Sequence, residues 1–96
     1  MHMKGYLLQL LASRGEMWDD EIVDAVCAEY GVSGDYWTGT IRLTLTDLYS
    51  GGLLDELDAT VDPSRTGGKE KILFKYAVNG FGRTRMAQAG LLGAQS

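Results

Sequence analysis

The run from Trp37 to Leu54 constrains this chain more than any other stretch. Trp37, Ile41, Leu45 and Leu48 recur at helical spacing and predict an amphipathic helix from about Tyr36 to Ser50. Gly51 or Gly52 supplies the left-handed residue that ends such a helix. Leu53-Leu54 then restarts the apolar pattern as an alternating one. The face opposite the apolar stripe is not a plain charged surface. It carries Tyr36, Gly39, Leu43 and Thr46, flanked by Thr40, Arg42 and Asp47. Small hydroxyls, one arginine and two large exposed side chains suit a surface that touches something.

Two helices are expected before this one. Lys4 to Ser13 places Tyr6, Leu7, Leu10 and Leu11 on one face, widened by Leu8, and Arg14-Gly15 closes it. Glu16-Met17-Trp18 reads as an extended link or a very short strand. Asp19 is a plausible N-cap for the second helix, with Asp20 and Glu21 in the first turn, where the helix dipole favours negative charge. Ile22, Val23, Val26, Cys27 and Tyr30 continue it to Gly31. Ser33 or Asp35 can cap the third helix.

After the third helix, Leu53 to Val61 alternates and predicts a strand with one buried face. Residues 62–69 hold the only proline and a Gly-Gly pair, which marks a loop or hairpin tip. Lys71 to Val78 alternates again, with Ile72, Phe74, Tyr76 and Val78 on one side. The two runs make a β-hairpin with Arg65 and Lys69 at its tip and Lys71 just inside the second strand. Asn79 can cap a last helix to about Ala89, with Phe81, Met86 and Ala89 on its apolar side and Arg83 and Arg85 pointing away. Gly82 and Gly90 weaken that helix. The expected architecture is one α+β domain over residues 3–90, with three helices, a hairpin and a C-terminal helix, followed by a frayed tail over 91–96.

Charge is distributed unevenly. The 96 residues carry a net charge of −4, but residues 1–62 balance to −9 and residues 63–96 to +5. An anion is therefore drawn to the last third of the chain. No apolar run reaches the roughly 18 residues that span a bilayer, no signal-peptide cleavage site follows the apolar Tyr6–Leu11 run, and the lone Cys27 cannot form an internal disulfide. Cytoplasmic residence is the expectation.

Catalytic chemistry is scarce. His2 aside, there is no imidazole for a general base or a metal. Cys27 sits on an apolar helix face and reads as a small core residue. Gly80-Phe81-Gly82 is half of a dinucleotide signature, and no phosphate-binding P-loop is present. Helix-start acids account for Asp19, Asp20 and Glu21 without a metal. Neither an enzyme nor a cofactor or metal is expected.

The run Gly39-Thr40-Ile41-Arg42-Leu43-Thr44-Leu45-Thr46-Asp47-Leu48, followed by Gly52-Leu53-Leu54, resembles the recognition-helix segment of PadR-like winged helix-turn-helix regulators. Phe74-Lys75-Tyr76-Ala77-Val78-Asn79-Gly80-Phe81-Gly82-Arg83 is similar to the basic-aromatic strand that leads into that family's final helix. The resemblance spans about residues 3–90. It implies a three-helix core with a two-stranded wing, sequence-specific binding to double-stranded DNA and transcriptional regulation; the apolar width of the first and last helices adds the expectation of a homodimer. A helix fits the major groove, where side chains meet base edges. In that frame Arg42 is the side chain able to pair with guanine, and Leu43 can meet a thymine methyl. Tyr36, Thr38, Thr40 and Thr46 can reach phosphates or bases, while Arg65, Lys69 and Lys71 lie near the backbone. The expected pairing surface is the first and last helices, including Leu91 and Leu92.

Two other readings stand beside it. An acidic second helix, exposed Tyr36 and Leu43, and a single basic side chain on the third helix fit a winged helix that binds another protein. A ligand-sensing dimer with a pocket between the first and last helices is the third.

Overall fold

Among the described residues seven elements follow one another: α1 (Met3–Arg14), β1 (Met17–Trp18), α2 (Asp19–Tyr30), α3 (Asp35–Ser50), β2 (Leu54–Val61), β3 (Ile72–Val78) and α4 (Gly80–Gln88). They come from a computed structural model that describes residues 3–68 and 70–90. The expected tail over 91–96 and the position of Lys69 lie outside the described residues. The chain is an α+β protein with four helices and one antiparallel sheet of order β1-β3-β2. The expected two-stranded hairpin is therefore a three-stranded sheet. Met17 pairs with Tyr76 and Trp18 with Lys75, so the short segment before α2 adds a strand to the outer edge of β3.

The helices pack through the stripes their sequences carry. Leu7 and Leu11 of α1, Ile22 and Val26 of α2, and Ile41, Leu45 and Leu48 of α3 meet Leu54, Tyr76 and Val78 from the sheet and Met86 from α4. Each such leucine or isoleucine, removed from water, stabilises the fold by about 1.5–3 kcal/mol. Leu8 and Leu10 are buried in the same cluster, so all four leucines of α1 are covered within the chain, while Tyr6 is partly buried against it.

The helix ends follow from local chemistry, with two corrections. Trp18, not Asp19, precedes the first turn of α2, and its backbone N–H donates to the Glu21 carboxylate at 2.9 Å. Asp19 becomes the first helical residue and is carried into the interior. Gly34 precedes α3 with no side-chain cap, because its φ of 105° turns the chain where Ser33 or Asp35 was expected to act. Gly31 (φ 66°) ends α2 in the left-handed region, and Gly52 (φ 81°) does so just beyond α3.

Two expectations of burial fail. In β2 only Leu54 is buried, and Leu57 and Val61 are exposed. The pairing slips between Glu56 and Asp58, leaving Leu57 without a partner at the bulge. In β3 the side that holds Tyr76 and Val78 is inward, but Ile72 at its outer end is exposed, and Leu73 on the opposite side is fully buried.

α4 is held by its first turn. The Asn79 side-chain oxygen accepts from Gly82 N–H at 2.8 Å, while its Nδ2 donates to the Gly52 carbonyl at 2.8 Å and to Asp55 at 3.1 Å. One side chain thereby joins the end of α3, the start of β2 and the start of α4. Gly82 is required rather than merely tolerated: a Cβ there would meet the Leu53 carbonyl oxygen at 2.2 Å and Val78 Cγ1 at 2.8 Å. Met86 is buried, but Phe81 and Ala89 are exposed, so the apolar side of α4 is narrower than its sequence suggests.

Candidate functional site

The outward face of α3 is uncovered. Tyr36 is 75% exposed and Leu43 69%, with Gly39 and Thr46 exposed between and beyond them. Tyr36 stands edge-on to Trp37 at 5.3 Å between centroids. Thr38 and Thr40 are half-buried at the edges of this face. The Thr46 hydroxyl donates to the Arg42 carbonyl at 3.0 Å, which leaves its oxygen lone pairs outward. Nothing lies within 4 Å of the position a Cβ would take at Gly39, so the helix backbone can be approached closely there.

Arg42 departs from expectation. It does not stand out on this face but is half-buried, turned to the side of the helix. It adjoins the Ile41–Leu45 stripe, and its long side chain reaches across a cleft toward the start of α2. That cleft, about 130 Å³, is lined by Asp19, Arg42, Leu45, Thr46, Ile72, Phe74 and Tyr76. It lies between α3 and β3, not between the first and last helices as the ligand-sensing reading requires.

Asp19 is the anchor of the cleft. It is only 4% exposed, and its Oδ1 has no hydrogen-bond partner; neither has the buried Nε of Arg42. Burial pushes the Asp19 carboxyl above its ordinary value, while the Arg42 charge and backbone N–H groups of Phe74 and Asp20 pull it down. The Tyr76 hydroxyl is pushed up as well, first by burial and then by the negative charge of Asp19. Asp19 and Arg42 both line this space, and each keeps one fully buried hydrogen-bonding atom without a partner.

The cations of the hairpin are also arranged unexpectedly. Arg65 is not free at the tip. Its guanidinium binds Asp20 through two nitrogens and stacks over Trp18, 5.3 Å from the ring centroid. Lys75 approaches the same ring at 5.3 Å and pairs with Glu16 at 3.4 Å. Trp18 and Lys75 share this face because they are register partners. Lys71 is exposed just ahead of β3 rather than inside it, and Lys69 lies outside the described residues. On α4, Arg83 and Arg85 are exposed, with Arg85 lying 5.9 Å over Phe81.

Sequence reasoning missed the cleft. Asp19 was legible as a helix-start acid, and Phe74 and Tyr76 as one side of a strand. No periodicity indicates that the strand, the start of α2 and the flank of α3 converge on one space. No family model matches the sequence, and no curated protein or solved structure matches it. Among the described residues no helix is long and apolar enough to cross a membrane.

Proposed function

We propose that this chain is a winged helix-turn-helix domain of the PadR-like kind that binds double-stranded DNA and regulates transcription, with α3 in the major groove and the β2–β3 hairpin beside it on the backbone. The observation that carries this reading is the uncovered face of α3, with Tyr36, Gly39, Leu43 and Thr46 outward and Ile41, Leu45 and Leu48 buried behind them. A B-DNA major groove admits one helix, and a face of small and hydroxyl side chains lets the backbone come near the base edges. The element order, with a hairpin directly after α3 and β1 completing the sheet, supports the same reading.

Roles follow position. Leu43 and Thr46 meet base edges, and Tyr36, Thr38 and Thr40 serve the sugar-phosphate backbone near the helix start, where backbone N–H groups also favour phosphate. Lys71 contacts phosphate from the hairpin. Arg42 reaches a base only by leaving the cleft, and its Nε gives up no hydrogen bond in doing so. Two copies on a two-fold axis would double these contacts. With the leucines of α1 buried, Phe81 of α4 is the exposed apolar residue on which such pairing would centre, and sedimentation at micromolar concentration reads it.

Selection from a random duplex library is the test. The expected result is enrichment of one motif, confirmed by mobility shift; recovery of unenriched sequence in every round overturns the reading. Protein binding is the second reading. It is favoured by Arg42 and Arg65 turning toward Asp19 and Asp20, which leaves Tyr36 and Leu43 as the large features of the exposed face.

A further inference from the structure

Asn79 is the only asparagine in the chain, and Gly80 follows it. That pair carries a chemistry of its own. The deprotonated backbone nitrogen of Gly80 can attack Cγ of the Asn79 side chain, and glycine has no Cβ to hinder the approach. The new N–Cγ bond closes a five-membered succinimide as the carboxamide C–N bond breaks, and ammonia leaves with the proton that Gly80 gave up. Water then opens the ring at either carbonyl, giving aspartate or its isomer linked through the side chain. Closure requires Cγ to swing onto the Gly80 nitrogen, and in the fold the carboxamide is held elsewhere. Its oxygen accepts from Gly82 N–H at 2.8 Å, and its nitrogen donates to the Gly52 carbonyl at 2.8 Å and to Asp55 Oδ1 at 3.1 Å. The backbone is fixed on both sides as well: Asn79 N–H donates to the Leu53 carbonyl at 3.2 Å, and the Asn79 carbonyl accepts from Arg83 N–H at 2.9 Å. Gly80 is exposed, so water reaches the site.

We propose that Asn79–Gly80 is a deamidation site gated by α4. It is closed while the first turn of α4 is docked, reacts when that turn opens, and yields a form that cannot dock the same way. The acid keeps one bond and loses two. A carboxylate at position 79 still accepts from Gly82 N–H, at a helix N-terminus that favours negative charge. It has no hydrogen to donate. It therefore sets an oxygen against the Gly52 carbonyl and a second negative charge beside Asp55, where the amide nitrogen had bridged both. The side chain that joined the end of α3, the start of β2 and the start of α4 then repels the first two while holding the third. Loss of ammonia to water does not reverse, so the change marks copies whose α4 has opened. The site does not rest on the DNA reading, because the atoms that define it are those of the folded chain alone.

Intact-mass spectrometry of the full chain over days at neutral pH, folded and in urea, reads the gate, and peptide mapping assigns the product to residue 79. The folded chain is expected to deamidate at least about 30-fold more slowly than the unfolded chain, because the rate falls with the fraction of time the turn is open. Asp55→Ala removes one partner of the carboxamide at an exposed position, and it should speed the reaction of the folded chain at least about threefold, with circular dichroism checking the fold. Asn79→Asp is a stable copy of one product. It is expected to keep α4 helical but to exchange the amide hydrogens of residues 52–55 and 80–83 at least about tenfold faster than the wild type. Equal rates in the folded and unfolded chain, or an unchanged rate in Asp55→Ala, would overturn the gate. Wild-type exchange in Asn79→Asp would overturn the loss of docking.

Discussion

Arg65 and Asp20, 45 residues apart in the chain, close on one another, with Arg65 Nε donating to Oδ2 at 2.8 Å and Nη2 donating to Oδ1 at 2.5 Å. The pairing raises the arginine pKa and bends the hairpin loop back over Trp18 to the first turn of α2. A cation placed by Pro63 and Gly67-Gly68 to reach outward is instead held by the protein's own acidic half. Release of that cation is a testable event. In Asp20→Asn the ion pair is lost, and Arg65 becomes available to phosphate. DNA affinity should rise for all sequences alike, and the slope of log K against log salt should steepen by about 0.9 for one added contact. An unchanged slope, measured by fluorescence anisotropy over a salt series, would show that Arg65 does not reach DNA.

Gly82 makes a close backbone approach, with the Leu53 carbonyl against its Cα. Because the Leu53 carbonyl occupies the space of its missing Cβ, Gly82→Ala must push α4 away from the turn after α3. Urea unfolding should show a loss of about 3 kcal/mol. Gly80, with nothing within 4 Å of its Cβ position, is the control, and Gly80→Ala should change stability by less than about 1 kcal/mol. Equal effects at the two glycines would contradict the packing described for α4.

Burial of Asp19 gives a pH dependence of known sign. Its carboxyl is raised above 3.8, first by desolvation and against the opposing charge of Arg42. In the window just above 3.8 the folded chain binds more protons than the unfolded chain. This contribution to stability is therefore greatest at low pH and falls as pH rises through the window. Asp19→Asn lacks it, so the stability of the variant relative to the wild type should increase with pH across the window and then level off. Paired urea titrations at several pH values read the difference. A trend in the opposite direction would mean that Arg42 and the backbone donors outweigh burial.

These relationships mark where the sequence stops being legible. The helices announced themselves through period: Ile41, Leu45 and Leu48 lie where the spacing puts them, and Gly31 ends α2 as its position suggests. Asn79 was legible as a cap, but not its bonds to Gly52 and Asp55, which depend on a turn closing 24 to 27 residues earlier. β2 read as a half-buried strand because alternation carries no information about whether a partner layer exists above it. The exposed face of α3 was readable from Tyr36, Gly39, Leu43 and Thr46. Arg42 was not, because a residue flanking the stripe can turn either way, and the carboxylate that draws it inward is 23 positions earlier in the chain.

The most direct measurement of the central claim compares the wild type with Gly39→Glu on a selected duplex by fluorescence anisotropy. Gly39 is exposed in the middle of the outward face of α3, with open space around it, so the glutamate should fold as well as the glycine. It places a negative charge where the helix would enter the groove. The prediction is an unchanged thermal midpoint with a loss of affinity of at least about 30-fold, close to 2 kcal/mol. Equal affinity in the two proteins, or no binding by the wild type at about 50 mM salt, where phosphate contacts are strong, would contradict the assignment of α3 to DNA.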